Sequence, residues 1–253
     1  MLDLGTFLLL ALTLHLFQAD TQSTRIQRHD SVTVSAGLSK EQLAKEDQLN
    51  AFISAGNAAL KSGNFKEAIQ QYQTALDFVE KQPLLKDKKD DVLRWLARGY
   101  IRADRPTDAI PIFYQLLVDN KYCQPQSSSV SLCADAQFDL GMAKLHAHDF
   151  EGALLNLREA EVDYAKAEQQ SDQSSVSHDF RMIQVEAQGQ TNLWIAAALF
   201  QLADKKQAIS AVKTSITQLN RVQSDQELDL GIKSDAARSL QEAQAFLQRL
   251  QTQ

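Results

Sequence analysis

AFISAGNAALKSGNFKEAIQQYQTAL, residues 51–76, reads as two helices folded back on one another. Gly56 and Ala68 are small residues twelve positions apart, and between them lies the polar turn KSGNF. After the turn, Ala68, Ile69, Tyr72, Ala75, Leu76 and Val79 recur with the 3.6-residue period of a helix that buries one face. Antiparallel helices joined by a short turn approach closely only where side chains are small, and large neighbours then fill the flanking space.

The same small pair recurs at Ala97 and Ala109, at Gly141 and Ala153, and at Ala196 and Ala208. The intervening turns are RADRP, HAHDF and LADKK, and a large apolar residue (Phe113, Leu157, Val212) follows each second member by four positions. Repetition at a roughly fixed period is the mark of a stacked-repeat architecture. Composition agrees: 9 Gly and 4 Pro in 253 residues, with 44% hydrophobic content, describe a mostly helical chain able to bury a core.

On these residues the chain resembles the tetratricopeptide repeat (TPR) family. In the best unit Phe52, Ala55, Gly56, Ala59, Phe65, Ala68, Tyr72 and Ala75 fall in order on the family's characteristic positions. The third unit departs at Gln137 and Lys144, the fourth at Asn192 and Ser215. The resemblance implies an all-α fold, a right-handed α-solenoid of about four helix pairs with cores near residues 49–82, 90–123, 134–167 and 189–222. A capping helix over about 232–251 would close the stack with Ala236, Leu240, Ala243, Phe246, Leu247 and Leu250 on one stripe. Spacing departs from the family period of about 34, because Ala68, Ala109, Ala153 and Ala208 are 41, 44 and 55 residues apart. Longer helices or loops must absorb the surplus, with candidates around Pro83, at 120–133 and at 168–179.

Ahead of the repeats, Leu4–Leu16 (LGTFLLLALTLHL) is almost wholly apolar. As a helix it rises only about 20 Å, short of the roughly 30 Å hydrocarbon layer, so residues 1–19 resemble an export signal cleaved near Ala19. Asp3, the lack of an early Lys or Arg, and the bulky Phe17 favour the alternative of an uncleaved membrane anchor. Residues 20–38 lack periodicity and read as a flexible linker before the helical domain at 39–253, which Ser39 and Gln42 open with capping-box spacing. Cys123 and Cys133 are the only cysteines and share one inter-repeat segment. In an exported chain they form a disulfide; in a cytosolic one they are two free thiols.

Catalytic signatures are absent: no Gly-rich phosphate loop, HExxH, Gly-x-Ser-x-Gly or CxxC occurs. His146 and His148 flank one turn, where two residues so close do not converge on one ion, so no metal and no cofactor is expected. The net charge of -6, with both signs interspersed, argues against nucleic acid as a partner. What remains is a non-enzymatic module binding a protein or peptide. By the family resemblance, Asn57, Lys61, Arg94, Arg98, Arg102, Phe138 and Met142 would line the concave groove. Arg94, Arg98 and Arg102 share one helix face and suit carboxylates, while apolar positions suit apolar side chains, which points to an acidic or apolar partner segment. An ordinary charged helix face would carry the same three arginines. The competing reading is a structural subunit of a larger assembly, touching the membrane only through an uncleaved N-terminus.

Overall fold

In the computed structural model of the chain, residues 39–119, 123, 130–172 and 177–252 are described. The apolar N-terminal segment and the linker lie outside them. Among the described residues there are nine α-helices and no strand: α1 (Lys40–Lys61), α2 (Phe65–Glu80), α3 (Lys89–Arg102), α4 (Pro106–Asp119), α5 (Val130–His146), α6 (Phe150–Asp172), α7 (His178–Gln201), α8 (Lys205–Ser224) and α9 (Leu230–Thr252). No helix among them is long and apolar enough to cross a membrane. They divide into two compact units, with the boundary at Leu116/Leu117 inside α4.

One turn geometry is used four times. Gly63, Asp104, His148 and Ala203, each two residues past the end of the first helix of a pair, have positive φ of 76°, 57°, 61° and 59°. Immediately after each, an amide reaches back five residues to a helix carbonyl: Asn64 to Ala59 at 2.8 Å, Arg105 to Tyr100 at 2.9 Å, Asp149 to Lys144 at 2.9 Å and Asp204 to Leu199 at 2.9 Å. The left-handed residue satisfies carbonyls that the helix end leaves open and reverses the chain. Asn64, Asp149 and Asp204 then cap the second helix, accepting the amides of Glu67, Gly152 and Gln207 at 3.4, 3.0 and 3.0 Å. Only the first turn uses glycine, so the other three carry a side chain at a strained φ, a cost of about 1 kcal/mol each.

In the first unit the core converges on Tyr72. Its ring is fully buried, stacks on Trp95 with centroids 6.2 Å apart, and donates its hydroxyl to Asn57 Oδ1 at 2.6 Å. Gly56 of α1 and Gly99 of α3 approach opposite edges of the ring: a Cβ on Gly56 would lie 2.5 Å from Tyr72 Cε1, one on Gly99 3.2 Å from Cδ2. One aromatic residue of α2 therefore fixes its spacing to both neighbouring helices. Between α2 and α3, a 3-10 turn over Pro83–Lys88 buries Leu85 and takes up extra length.

In the second unit α5 packs on α6, α6 on α7, α7 on α8 and α8 on α9. The small-against-large rule returns as Gly141 under Leu157, where a Cβ would lie 2.7 Å from Leu157 Cγ, and as Gly189 under Leu219, where it would lie 2.8 Å from Cγ. Most of the stretch 168–179 that was a candidate loop is helix instead, since α6 continues through Asp172 and α7 begins at His178. Lengthened helices thus account for most of the widest spacing. The C-terminal helix α9 caps this unit, with Phe246 edge-on to Phe200 at 6.1 Å.

Candidate functional site

The expected groove residues divide between the two units. In the first, Asn57 is half-buried and occupied by the Tyr72 hydroxyl, while Lys61 is exposed at the end of α1. On α3, Arg94 is 8% exposed and Arg98 and Arg102 are half-buried, and all three take part in interactions within the chain. The helix places them one turn apart on a single face, and a guanidinium is a planar fork suited to bidentate pairing with a carboxylate.

Phe138 and Met142 belong to the second unit. Met142 is 2% exposed, and Phe138 packs partly buried against Ala134, Ala160, Tyr164 and Ala187. Both contribute to packing between helices. The polar residues that break the family pattern serve each other: Lys144 donates to Asn156 Oδ1 at 2.8 Å, and Asn156 Nδ2 donates to Gln137 Oε1 at 2.6 Å. Asn192 is similarly engaged, donating to Glu161 at 2.8 Å and Gln218 at 3.3 Å, and Gln188 donates to Glu168 at 2.8 Å. Buried polar groups are tolerated when their hydrogen bonds are made, and here they also fix the register of α6, α7 and α8.

Cys123 and Cys133 are bonded, with Cα atoms 4.9 Å apart. Cys133 is buried at the start of α5 and Cys123 is exposed. Closing a loop of this length contributes about 3 kcal/mol in the chain-entropy picture. His148 occupies one of the left-handed turns with its ring edge-on to Phe150 at 5.7 Å. No group of three metal-ligating side chains occurs among the described residues.

Glu242 on α9 is a carboxylate disturbed by its surroundings. Burial pushes it up to about 7, against the opposing pull of Arg238 one turn earlier, and its Oε2 has no hydrogen-bond partner. The folded chain therefore holds this proton more tightly than the unfolded chain. Its contribution to stability is greatest below the ordinary glutamate value of 4.5, declines as pH rises to about 7, and is constant above. Glu242→Gln is expected to raise Tm by a few °C at pH 8 and to leave it close to wild type at pH 4.5, which thermal unfolding followed by circular dichroism checks.

No protein-family profile matches the chain, and no curated protein sequence does. Among solved structures, BtubC from P. vanneervenii matches with a TM-score of 0.53 at 15% identity, covering 99% of this chain and 91% of BtubC. The nearly identical TPR-like repeats of a Podosopora anserina kinesin light chain match with a TM-score of 0.50 at 15% identity, covering 81% of this chain and 93% of theirs. The likeness first read in residues 51–76 thus extends to the backbone, and the chain folds as a tetratricopeptide-like all-α solenoid.

Proposed function

We propose that the chain is an exported, non-enzymatic interaction module that holds a protein or peptide partner against the first helices of its pairs. The observation that carries this reading is the arginine row of α3, where Arg98 and Arg102 stay half-buried on one face of a repeat fold. Partly desolvated guanidinium groups on a rigid helix bind carboxylates better than mobile surface lysines do, because less side-chain freedom is lost. An acid-bearing segment with apolar neighbours is the partner chemistry that fits. Export is supported by the apolar run Leu4–Leu16 and by the Cys123–Cys133 bond, a linkage that persists outside reducing compartments. Asp3 and Phe17 favour instead a retained anchor on a structural subunit.

The test is a selection of random displayed peptides on the purified chain, followed by calorimetry with the synthesised winners. Acid-bearing peptides are expected to be enriched and to lose at least about tenfold in affinity against Arg98→Glu/Arg102→Glu, provided the variant keeps its helical circular dichroism. Equal affinity for wild type and variant, or no enrichment of acidic sequences, contradicts the assignment.

A further inference from the structure

The outer face of α6 carries exposed apolar residues that the fold does not use. Leu155 is 60% and Val162 52% exposed, and around them Glu151, Arg158, Glu159 and Lys166 are all exposed. At 3.6 residues per turn these six positions fall within about 100° of arc, a single stripe along about 24 Å of helix. Its arrangement is symmetric. A two-fold axis through the midpoint between Arg158 and Glu159 sets Leu155 opposite Val162, Arg158 opposite Glu159, and Glu151 opposite Lys166.

We propose that this stripe is a self-association surface, on which a second copy of the chain lays its own α6 antiparallel to the first. In that arrangement every cation of the stripe meets an anion of the second copy and the two aliphatic side chains cover each other. A parallel arrangement in register would set like charges together, so the pattern selects the two-fold. An interface of this kind is isologous, which is what a closed dimer requires. The adjacent outer helix offers no such match: α8 exposes Lys205, Lys206 and Lys213 and has no acidic residue between Lys205 and Ser224. The contacts that the stripe's charged residues make now are exposed ones, Arg158 to Gln207 at 3.1 Å and Lys166 to Asp163 at 2.8 Å. Exposed pairs of this type contribute little and exchange readily. One helix pair buries less than the roughly 1,200–2,000 Å² of a stable interface, so the dimer is weak, with a Kd of roughly 10–100 µM.

Sedimentation equilibrium of the full chain from about 1 to 500 µM reads this directly. Wild type is expected to pass from monomer to dimer, and Leu155→Asp, Arg158→Glu and Glu159→Arg each to weaken association at least about tenfold. All three positions are exposed, so unchanged helical circular dichroism separates lost association from lost folding. Mixing Arg158→Glu with Glu159→Arg restores both charge pairs at once and is expected to give a one-to-one heterodimer, as is the double reversal on one chain to give a homodimer. A monomer throughout the range, a dimer indifferent to Leu155→Asp, or no recovery on mixing would each overturn the proposal.

Discussion

Replacing Tyr72 by alanine is expected to destabilise the first unit by about 3–5 kcal/mol, the range for removing a large aromatic from a closed core. Its ring is in van der Waals reach of both Gly56 and Gly99, so the cavity would open between α1, α2 and α3 together. No bulky side chain stands at either glycine to collapse into it. Tyr72→Phe removes only the hydroxyl that Asn57 accepts, and its expected cost is about 1 kcal/mol. Urea denaturation of the two variants checks the contrast: if both lose the same amount, the ring is not what spaces these helices.

The second large effect lies at Gly141. A Cβ there would fall 2.7 Å from Leu157 Cγ and 3.3 Å from the Ala153 carbonyl oxygen, and Leu157 is fully buried. Gly141→Leu must therefore drive α5 from α6, costing about 3 kcal/mol or more at the upper end of overpacking effects. Gly141→Ala asks for less. Combining it with Leu157→Ala is expected to cost measurably less than the sum of the two single changes, because the second change vacates the space that the first requires. Strict additivity would mean that the residues do not share that space.

These two sites show what the sequence made legible. Gly56 with Tyr72, and Gly141 with Leu157, are sixteen residues apart in the chain, and the structure brings each pair into contact. A small residue opposite a large one leaves a trace in the sequence because both partners recur at a constant offset. The fourth pair shows the limit. There a second close approach, Gly189 on Leu219, stands beside Ala196 and Val212 at the expected offsets, and both of those are fully buried. Along lengthened helices several small residues become available, and spacing alone does not choose among them.

The polar positions were harder to read for a related reason. Gln137, Lys144 and Asn192 look like errors in a repeat because a hydrogen bond needs two partners, and the second lies 12 to 31 residues away in another helix. Nothing periodic marks Asn156 or Glu161 as those partners. The turns posed a different difficulty: glycine announces a left-handed residue at Gly63, Asp104 and His148 are types that tolerate that conformation without requiring it, and Ala203 adopts it without a compositional signal. For the site, the row of Arg94, Arg98 and Arg102 was evident from its four-residue spacing, but its burial and its engagement within the chain were not. Exposure likewise decides the α6 stripe, since nothing in the sequence separates Leu155 and Val162 from the buried aliphatic residues of the same helix.

The proposed export and the disulfide that goes with it are decided by the intact mass of the chain after expression in a host with an export pathway. With alkylation before and after reduction, the expected product is a soluble mature chain beginning near Asp20 whose two cysteines become alkylated only after reductant is added. A full-length chain in the membrane or cytosolic fraction, with Cys123 and Cys133 alkylated without reductant, would contradict it and favour the anchored subunit.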